Sequence, residues 1–370
     1  MKVIVIGALP SSLLNFRKAL ILDLISKGHE VVTAASGATS AEVQAIEKLG
    51  VRYIDFHVER NGLNPVSDIK TYWRLRKIFK VEQPQVILAY TIKPVIWGGI
   101  AARAVPNSKF YALITGLGFA FQRGGFRRNL LRLLACKLYK FALLNAPKVI
   151  FQNRDNKGEF LSNNIITVEQ SACINGSGVD LGRFSICEFP SNGFKVLTIA
   201  RLLGEKGLRE YAAAAKEIKK TFPNVVFQLV GPEDPSPDGI PIEEVNEWHQ
   251  AGYIDYVGEV KDVYPVLKNC NVFVLASYHE GMPRTVLEAM AVGRPVLTTN
   301  VPGCKETVRQ GVNGFLVDKQ SVTQLVEKLT WFISNPSELV EMGGMSREIA
   351  VEKFDVSKVN KEILEIMEVS

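Results

Sequence analysis

The chain has 370 residues, 47% of them apolar, which is enough for about two domains with separate cores and excludes a disordered chain. Its formal net charge is only +6, yet residues 1–180 carry 24 Lys/Arg against 12 Asp/Glu, and residues 181–370 carry 20 against 26. Residues 83–154 hold 11 Lys/Arg and no acid, so this stretch predicts an anionic neighbour: nucleic acid, a membrane surface or a phosphorylated substrate.

Val3–Ile6 reads as a strand that is apolar on both faces, as in a buried parallel sheet. The apolar opening stops at Gly7, too early for a secretion signal. Residues 11–27 read as a helix ending at Gly28, followed by strand Glu30–Ala34, helix 40–49 and strand Val51–Phe56. A helix over about 67–80 and the strand Val86–Ala89 continue the alternation, which predicts a doubly wound α/β domain. The pattern restarts with strand Lys195–Ala200, helix 207–221, strand Val225–Val230 and a Pro- and Asp-rich loop, 231–241. Helix 241–250, strand 253–257, helix 262–269, strand 272–276, helix 283–292 and strand 295–298 follow. The boundary falls near 180–192, which predicts a first domain over 1–185 and a second over 186–354. Residues 355–370 read as an amphipathic helix returning to the first domain. Two such domains create a cleft, and ligands in such sheets bind at the carboxyl ends of the strands.

Several classes are not expected. The cysteines (Cys136, Cys173, Cys187, Cys270, Cys304) form no CxxC pair, which fits a reducing cytosol. The four histidines have no ligand spacing, so no metal site is expected. No run of about 18–20 uncharged apolar residues is present, so nothing is expected to span a bilayer.

Two strand-to-helix loops carry the chemistry. After strand 272–276 comes Ser277-Tyr-His-Glu280-Gly-Met-Pro283-Arg284-Thr285-Val286-Leu-Glu288. Pro283 suits a helix start, and the N–H groups of Arg284, Thr285 and Val286 are then expected to face outward as an anion pocket for a diphosphate. Glu288 is placed to accept a ribose diol, and Glu280 at the rim to take a sugar hydroxyl or an oxocarbenium charge. A single Glu here would read as a solvated surface acid; two, eight residues apart and flanking Gly and Pro, favour a site. After strand 195–200 comes Arg201-Leu-Leu-Gly204-Glu-Lys206, two cations able to reach one anion. His279 reads as a bystander.

These loops together resemble glycosyltransferase family 4, retaining enzymes of the GT-B fold. The family's E-x7-E pattern matches Glu280 and Glu288, and its Arg…Lys pair matches Arg201 and Lys206. Gly176–Phe184 resembles its interdomain segment, Gly258-Glu259-Val260 its base-binding turn, and Asn313-Gly314 the turn after its second-domain core. In the first half, Asn61–Pro65, Tyr90-Thr-Ile-Lys93-Pro94 and Thr115-Gly116-Leu-Gly118-Phe119 are similar to the subgroup that extends undecaprenyl-diphosphate-linked sugars, N-acetylgalactosaminyltransferases among them. The loop Gly7-Ala-Leu-Pro10-Ser11-Ser12 departs from the family, with one glycine where many members have a pair, so donor-phosphate contact is not carried over to it.

The resemblance implies a UDP-sugar donor, an N-acetylhexosamine by subgroup, and a polyprenyl-diphosphate-linked acceptor. Arg201 and Lys206 would stabilise the departing diphosphate, Glu280 would position the sugar, and Val260 would lie at the base. Lys93, Thr115 and Gly116 would serve the acceptor. For Lys93 an edge salt bridge is the equally weighted reading. Cleavage would need neither metal nor cofactor, and no DxD run is present: Asp234 and Asp238 are too far apart. Attack would come from the leaving-group face without a protein nucleophile.

The acid-free stretch adds Phe126, Leu130, Leu133, Leu134, Leu138 and Phe141 at helical spacing. The apolar stripe alone reads as core-facing. The cations Arg123, Arg127, Arg128 and Arg132 read as contacts to an anionic membrane, where a polyprenyl-linked acceptor must be met. That places the protein in the cytoplasm, peripheral on the inner face of the cell membrane. No nucleic-acid motif accompanies the charge, so nucleic acid is not expected. A nicotinamide-dependent sugar dehydratase would show G-x-G-x-x-G, which the first loop lacks. A UDP-sugar 2-epimerase of the same shape would act without an acceptor, and a non-catalytic subunit would not need Glu280, Glu288, Arg201 and Lys206 intact.

Overall fold

A computed structural model describes residues 1–59, 64–118, 121 and 125–370, apart from the Arg127 side chain. The chain forms two units, Met1–Ser177 with Ser357–Ser370, and Gly178–Val356.

The first unit runs β1 (Lys2–Ile6), α1 (Pro10–Phe16), α2 (Lys18–Ser26), β2 (Glu30–Ala35), α3 (Ser40–Glu47), β3 (Arg52–Asp55), α4 (Pro65–Glu82), β4 (Val86–Tyr90), α5 (Ile92–Ala102), β5 (Lys109–Ile114), α6 (Gly125–Leu143), β6 (Val149–Phe151), α7 (Arg154–Ser162) and β7 (Ser171–Cys173). Among the described residues its seven strands pair in parallel in the order β3-β2-β1-β4-β5-β6-β7. Helices cover both faces, which is why the strands are apolar throughout. Leu75, Ile78, Phe79, Val95, Tyr139 and Phe160 fill one side. Leu13, Leu20, Leu24 and Ile46 fill the other, joined there by Val359 and Ile363 from the chain's last helix.

The second unit runs β8 (Lys195–Ile199), α8 (Leu208–Ile218), β9 (Val226–Val230), α9 (Ile242–Gln250), β10 (Asp255–Gly258), α10 (Tyr264–Lys268), β11 (Val272–Leu275), α11 (Arg284–Ala291), β12 (Val296–Thr299), β13 (Gly314–Val317), α12 (Val322–Ser334) and α13 (Glu338–Lys353). Its sheet is again parallel, ordered β10-β9-β8-β11-β12-β13. The last helix, α14 (Val356–Ile366), begins at the edge of this unit and lies mostly in the first.

The alternation read from the sequence is thus what folds. One expected helix, 11–27, is broken into α1 and α2 at Arg17, whose backbone turns out of helical geometry at φ −123° and ψ −4°. The break turns this Arg inward: it is 2% exposed, stacks 4.9 Å over the Tyr90 ring and donates from Nη1 to Ser177 Oγ at 3.3 Å.

Candidate active site

In the second sheet β8 lies between β9 and β11, so the connections leaving β8 and β11 diverge. Such a switch point leaves a crevice at the carboxyl ends of the two strands. The two loops singled out in the sequence are those connections, which is why residues about 75 positions apart meet.

Lys206 Nζ donates to Glu280 Oε1 at 2.7 Å, and Ser277 Oγ donates to the same oxygen at 2.8 Å. Burial works against the Lys206 charge, but the Glu280 carboxylate outweighs it and holds the ammonium above its ordinary range. The Lys206 loop is fixed by a 3-10 turn, Gly204–Lys206, closed by Gly207 at φ +67°. A Cβ on Gly207 would lie 2.1 Å from the Ala276 carbonyl oxygen, so only glycine lets the two loops come this close. Tyr278 N–H donates to the Glu205 carbonyl at 2.8 Å and completes the junction.

Arg201 pairs through Nη1 with Asp234 Oδ2. Asp234 is held low by hydrogen bonds from Ser236 and by the Arg201 charge, although burial pushes the other way. Asp238 accepts the Glu205 N–H at 2.7 Å. The Pro- and Asp-rich loop 231–241 therefore clamps the cationic loop. Neither aspartate was singled out as functional in the sequence, and the only signal for them was their density in a loop facing β8. Ser277 was missed too; its position three residues before Glu280 in the same loop was the available sign.

Glu288 is buried in α11, where its Oε1 accepts from Arg284 Nε at 2.9 Å. Burial is the larger influence and pushes the carboxyl up despite that arginine. Arg183 and Asp262 lie near enough to bear on its charge and pair with each other at 3.0 Å. Val260 packs on the same apolar cluster as Val286. Pro283 caps α11 from outside the helix. The outward N–H expected of Val286 is not there: it donates back to the Pro283 carbonyl at 3.1 Å, and the side chain is fully buried. Thr285, one residue earlier in the first turn, is half-buried. His279 is mostly enclosed, and burial lowers its pKa. Among the described residues no His, Cys, Asp and Glu side chains cluster in a way that would hold a metal.

In the first unit the switch point lies between β1 and β4. The Gly7 loop follows β1, and Tyr90 closes over it: a Cβ on Gly7 would lie 2.3 Å from the Tyr90 ring. Thr91 takes φ +68°, a strained position for a β-branched residue. Lys93 sits not in the loop but in the first turn of α5, paired at 2.8 Å with Asp68 of α4. Thr115 and Gly116 follow β5, half-buried.

The basic stretch brings two corrections. Arg132 is paired with α7 through Glu159 at 2.5 Å and Asn163 at 3.0 Å, and so is held against the protein. Most of the apolar stripe is not core: Phe126 is 83% exposed, and Leu130, Leu133, Leu134 and Phe141 are all exposed, while Leu138 alone of the stripe packs against the core, beside Ala135, Tyr139 and Leu143 on the inward face. Arg128 lies on the exposed first turns of α6. Arg123 and residues 61–63 and 119 of the first-half motifs lie outside the described residues, as does the Arg127 side chain.

Two parallel-sheet Rossmann-like units, one with a cation pair and a carboxylate at its switch point, define a nucleotide-sugar transferase of GT-B architecture. Residues 184–348 match the family described as Glycosyl transferases group 1, and residues 10–153 match Glycosyl transferase 4-like. The chain belongs to these glycosyltransferases. It is 29% identical over 338 residues to an N,N'-diacetylbacillosaminyl-diphospho-undecaprenol alpha-1,3-N-acetylgalactosaminyltransferase from Campylobacter jejuni, covering 88% of this chain and 87% of that one. It is 26% identical to an Escherichia coli UDP-Gal:alpha-D-GlcNAc-diphosphoundecaprenol alpha-1,3-galactosyltransferase, covering 80% and 78%. The fold matches the crystal structure of Anabaena HepE in complex with UDP at a TM-score of 0.77 and 19% identity, over the full length of both chains.

Proposed function

We propose that the chain moves an N-acetylhexosamine from a UDP-sugar to a polyprenyl-diphosphate-linked saccharide, with retention at the anomeric carbon, at the cytoplasmic face of a cell membrane. The observation that carries this reading is Lys206 held by Glu280, whose carboxylate also accepts from Ser277, in the crevice between β8 and β11, with Arg201 leaving β8 as well. Both cations are matched by carboxylates, and an incoming diphosphate would take over that role. The bond from the anomeric carbon to the β-phosphate oxygen breaks, and the acceptor oxygen bonds to that carbon from the same face. The acceptor's proton passes to the departing phosphate oxygen, and UDP leaves. Lys206 and Arg201 stabilise the charge that grows on that oxygen, typically the largest catalytic contribution in such sites. Glu280, released from Lys206, accepts sugar hydroxyls and fixes the ring.

Support for the donor and acceptor comes from the relatives: both enzymes are named for diphospho-undecaprenol acceptors, one is named for a UDP-sugar and one for N-acetylgalactosamine transfer. Support for the membrane comes from the exposed apolar line on α6 beside Arg128, Lys137 and Lys140. The test is a panel of UDP-sugars with a short-chain polyprenyl-diphosphate saccharide, read by mass and by the anomeric coupling in NMR. One UDP-N-acetylhexosamine is expected to give an α-linked product. No transfer from any UDP-sugar, or a β-linked product, would overturn the reading.

A further inference from the structure

Helices α4, α5 and α6 cover one face of the first sheet, α5 packing between the other two. The bilayer reading above rests on α6 alone, but α4 has the same character. Its inward face is Leu75, Ile78 and Phe79. Its outward face carries Val66, Ile69 and Trp73, which are 60%, 53% and 56% exposed. Steps of three and four residues put these on one line along the helix. Lys70, Arg74 and Lys77 run beside them at the same spacing, all exposed. The acids of α4 are elsewhere engaged: Asp68 pairs with Lys93, and Glu82 is buried against Arg52 and Lys2. Among the described residues none of Lys70, Arg74, Lys77 and Lys80 is ion-paired, so the helix's own outer face is apolar and positive; Glu59, before the helix, lines a hollow with Val66 and Lys70 at its first turn. Arg76 stacks 5.2 Å over the Trp73 ring and holds it at the surface.

We propose that the outer face of α4 is a second bilayer contact, which with α6 seats the first unit on an anionic membrane through two parallel ridges. Trp73 lies at headgroup level, Val66 and Ile69 enter the acyl boundary, and Lys70, Arg74 and Lys77 meet anionic headgroups. A second copy of the chain is a poor occupant, because a twofold contact would set these cations against themselves. The inference rests on the membrane-borne acceptor proposed above, but its test needs no acceptor. A two-ridge seat also fixes the rotation of the unit about the membrane normal, which a single helix leaves free.

The full chain carries its own probe. Of its four tryptophans Trp73 alone is largely exposed; Trp248 is buried, and Trp97 and Trp331 pack against the cores. On vesicles of phosphatidylglycerol and brominated phosphatidylcholine, emission is expected to shift to the blue and be quenched. Trp73→Phe is expected to abolish most of the quenching while vesicle co-sedimentation stays within about threefold, since Phe keeps much of the buried apolar area. Replacing Lys70, Arg74 and Lys77 together by Gln is expected to lower partitioning about a hundredfold, at roughly fivefold per near-surface cation. These are exposed positions, so the far-ultraviolet dichroism of both variants is expected to match the parent. Vesicle binding with unquenched Trp73 would overturn the proposal, as would no binding of the parent chain, or loss of Trp73 exposure with dimerisation in the absence of lipid. Quenching as described in a chain that transfers no sugar would uphold this contact and refute the transferase reading alone.

Discussion

Replacing Lys206 by Met separates what the cation does for the fold from what it does for a donor. Lys206 Nζ and Glu280 Oε1 are 2.7 Å apart, with side chains only 15% and 16% exposed. At an effective dielectric constant of about 20 the attraction across that distance is roughly 6 kcal/mol, against which stands the desolvation of both groups. Breaking such a pair by removing one partner typically costs about 3–5 kcal/mol, because the other charge is left buried. Here Ser277 Oγ still donates to Glu280 at 2.8 Å, so about 2–3 kcal/mol is expected for Lys206→Met. In a unit of this size that lowers the melting temperature by roughly 5–10 °C. Adding Glu280→Gln removes the stranded carboxylate, and the double variant is expected to recover about half of the loss. Transfer behaves differently: losing a donor aimed at developing phosphate charge costs about 100- to 1,000-fold in kcat, and Glu280→Gln restores none of it. Calorimetric melting of the four chains with transfer rates on the same preparations checks both. A double variant less stable than the sum of the two singles would refute the ion-pair reasoning. A Lys206→Met chain transferring within tenfold of the parent would refute the diphosphate role.

Gly207→Ala places a Cβ 2.1 Å from the Ala276 carbonyl at φ +67°, and is expected to cost at least about 2 kcal/mol and weaken UDP binding, measured by melting and by UDP titration. Arg294 is fully buried and donates to the carbonyls of Glu188 at 2.8 Å, Lys268 at 2.9 Å and Cys187 at 3.0 Å, so Arg294→Met is expected to destabilise the second unit by about 3 kcal/mol in urea unfolding. His279 has its pKa lowered from 6.5 by burial, so the unfolded chain takes up the proton first. Stability that is full above about pH 6.5 is therefore lost as the pH falls through that value, and His279→Gln is expected to flatten this slope in denaturant titrations between pH 7.5 and 5.

The meeting of the loops that follow β8 and β11 was largely legible because it depends on topology. A strand apolar on both faces implies a parallel sheet, a parallel sheet implies loops at its carboxyl edge, and those loops carried Arg201, Lys206 and Glu280. What the sequence did not show was how each charge is matched. Asp234 stands 33 residues from Arg201 and Asp68 stands 25 from Lys93, and separations of that length leave no periodic trace. The Val286 N–H departs from the sequence expectation for a local reason: the helix opens with a tight bond back to Pro283, which uses the donor that an ideal first turn would leave outward. Arg17 interrupted a continuous helical pattern because its side chain has partners, Tyr90 and Ser177, that only the folded sheet brings within reach.

The outward-facing stripe of α6 shows a general limit of helical periodicity. Helical spacing shows that Phe126, Leu130, Leu133, Leu134 and Phe141 share a side of the helix, but not what lies opposite them. A buried core and a lipid interface select the same residues at the same spacing. What distinguishes them is the company of the stripe. A core-facing stripe is backed by mixed charges that face water, whereas residues 83–154 offer cations alone. The inward side of α6 is lined instead by the smaller set Ala135, Tyr139 and Leu143. The same test applied to α4 gives the same answer, since its outer charges are again only positive and its two acids are paired elsewhere. Single-sign charge beside an exposed apolar line costs solubility and self-repulsion in water, and both costs fall at an anionic bilayer. The charge excess of the first half therefore reads as the electrostatic complement of two amphipathic helix faces, which is why its net value over the whole chain concealed it.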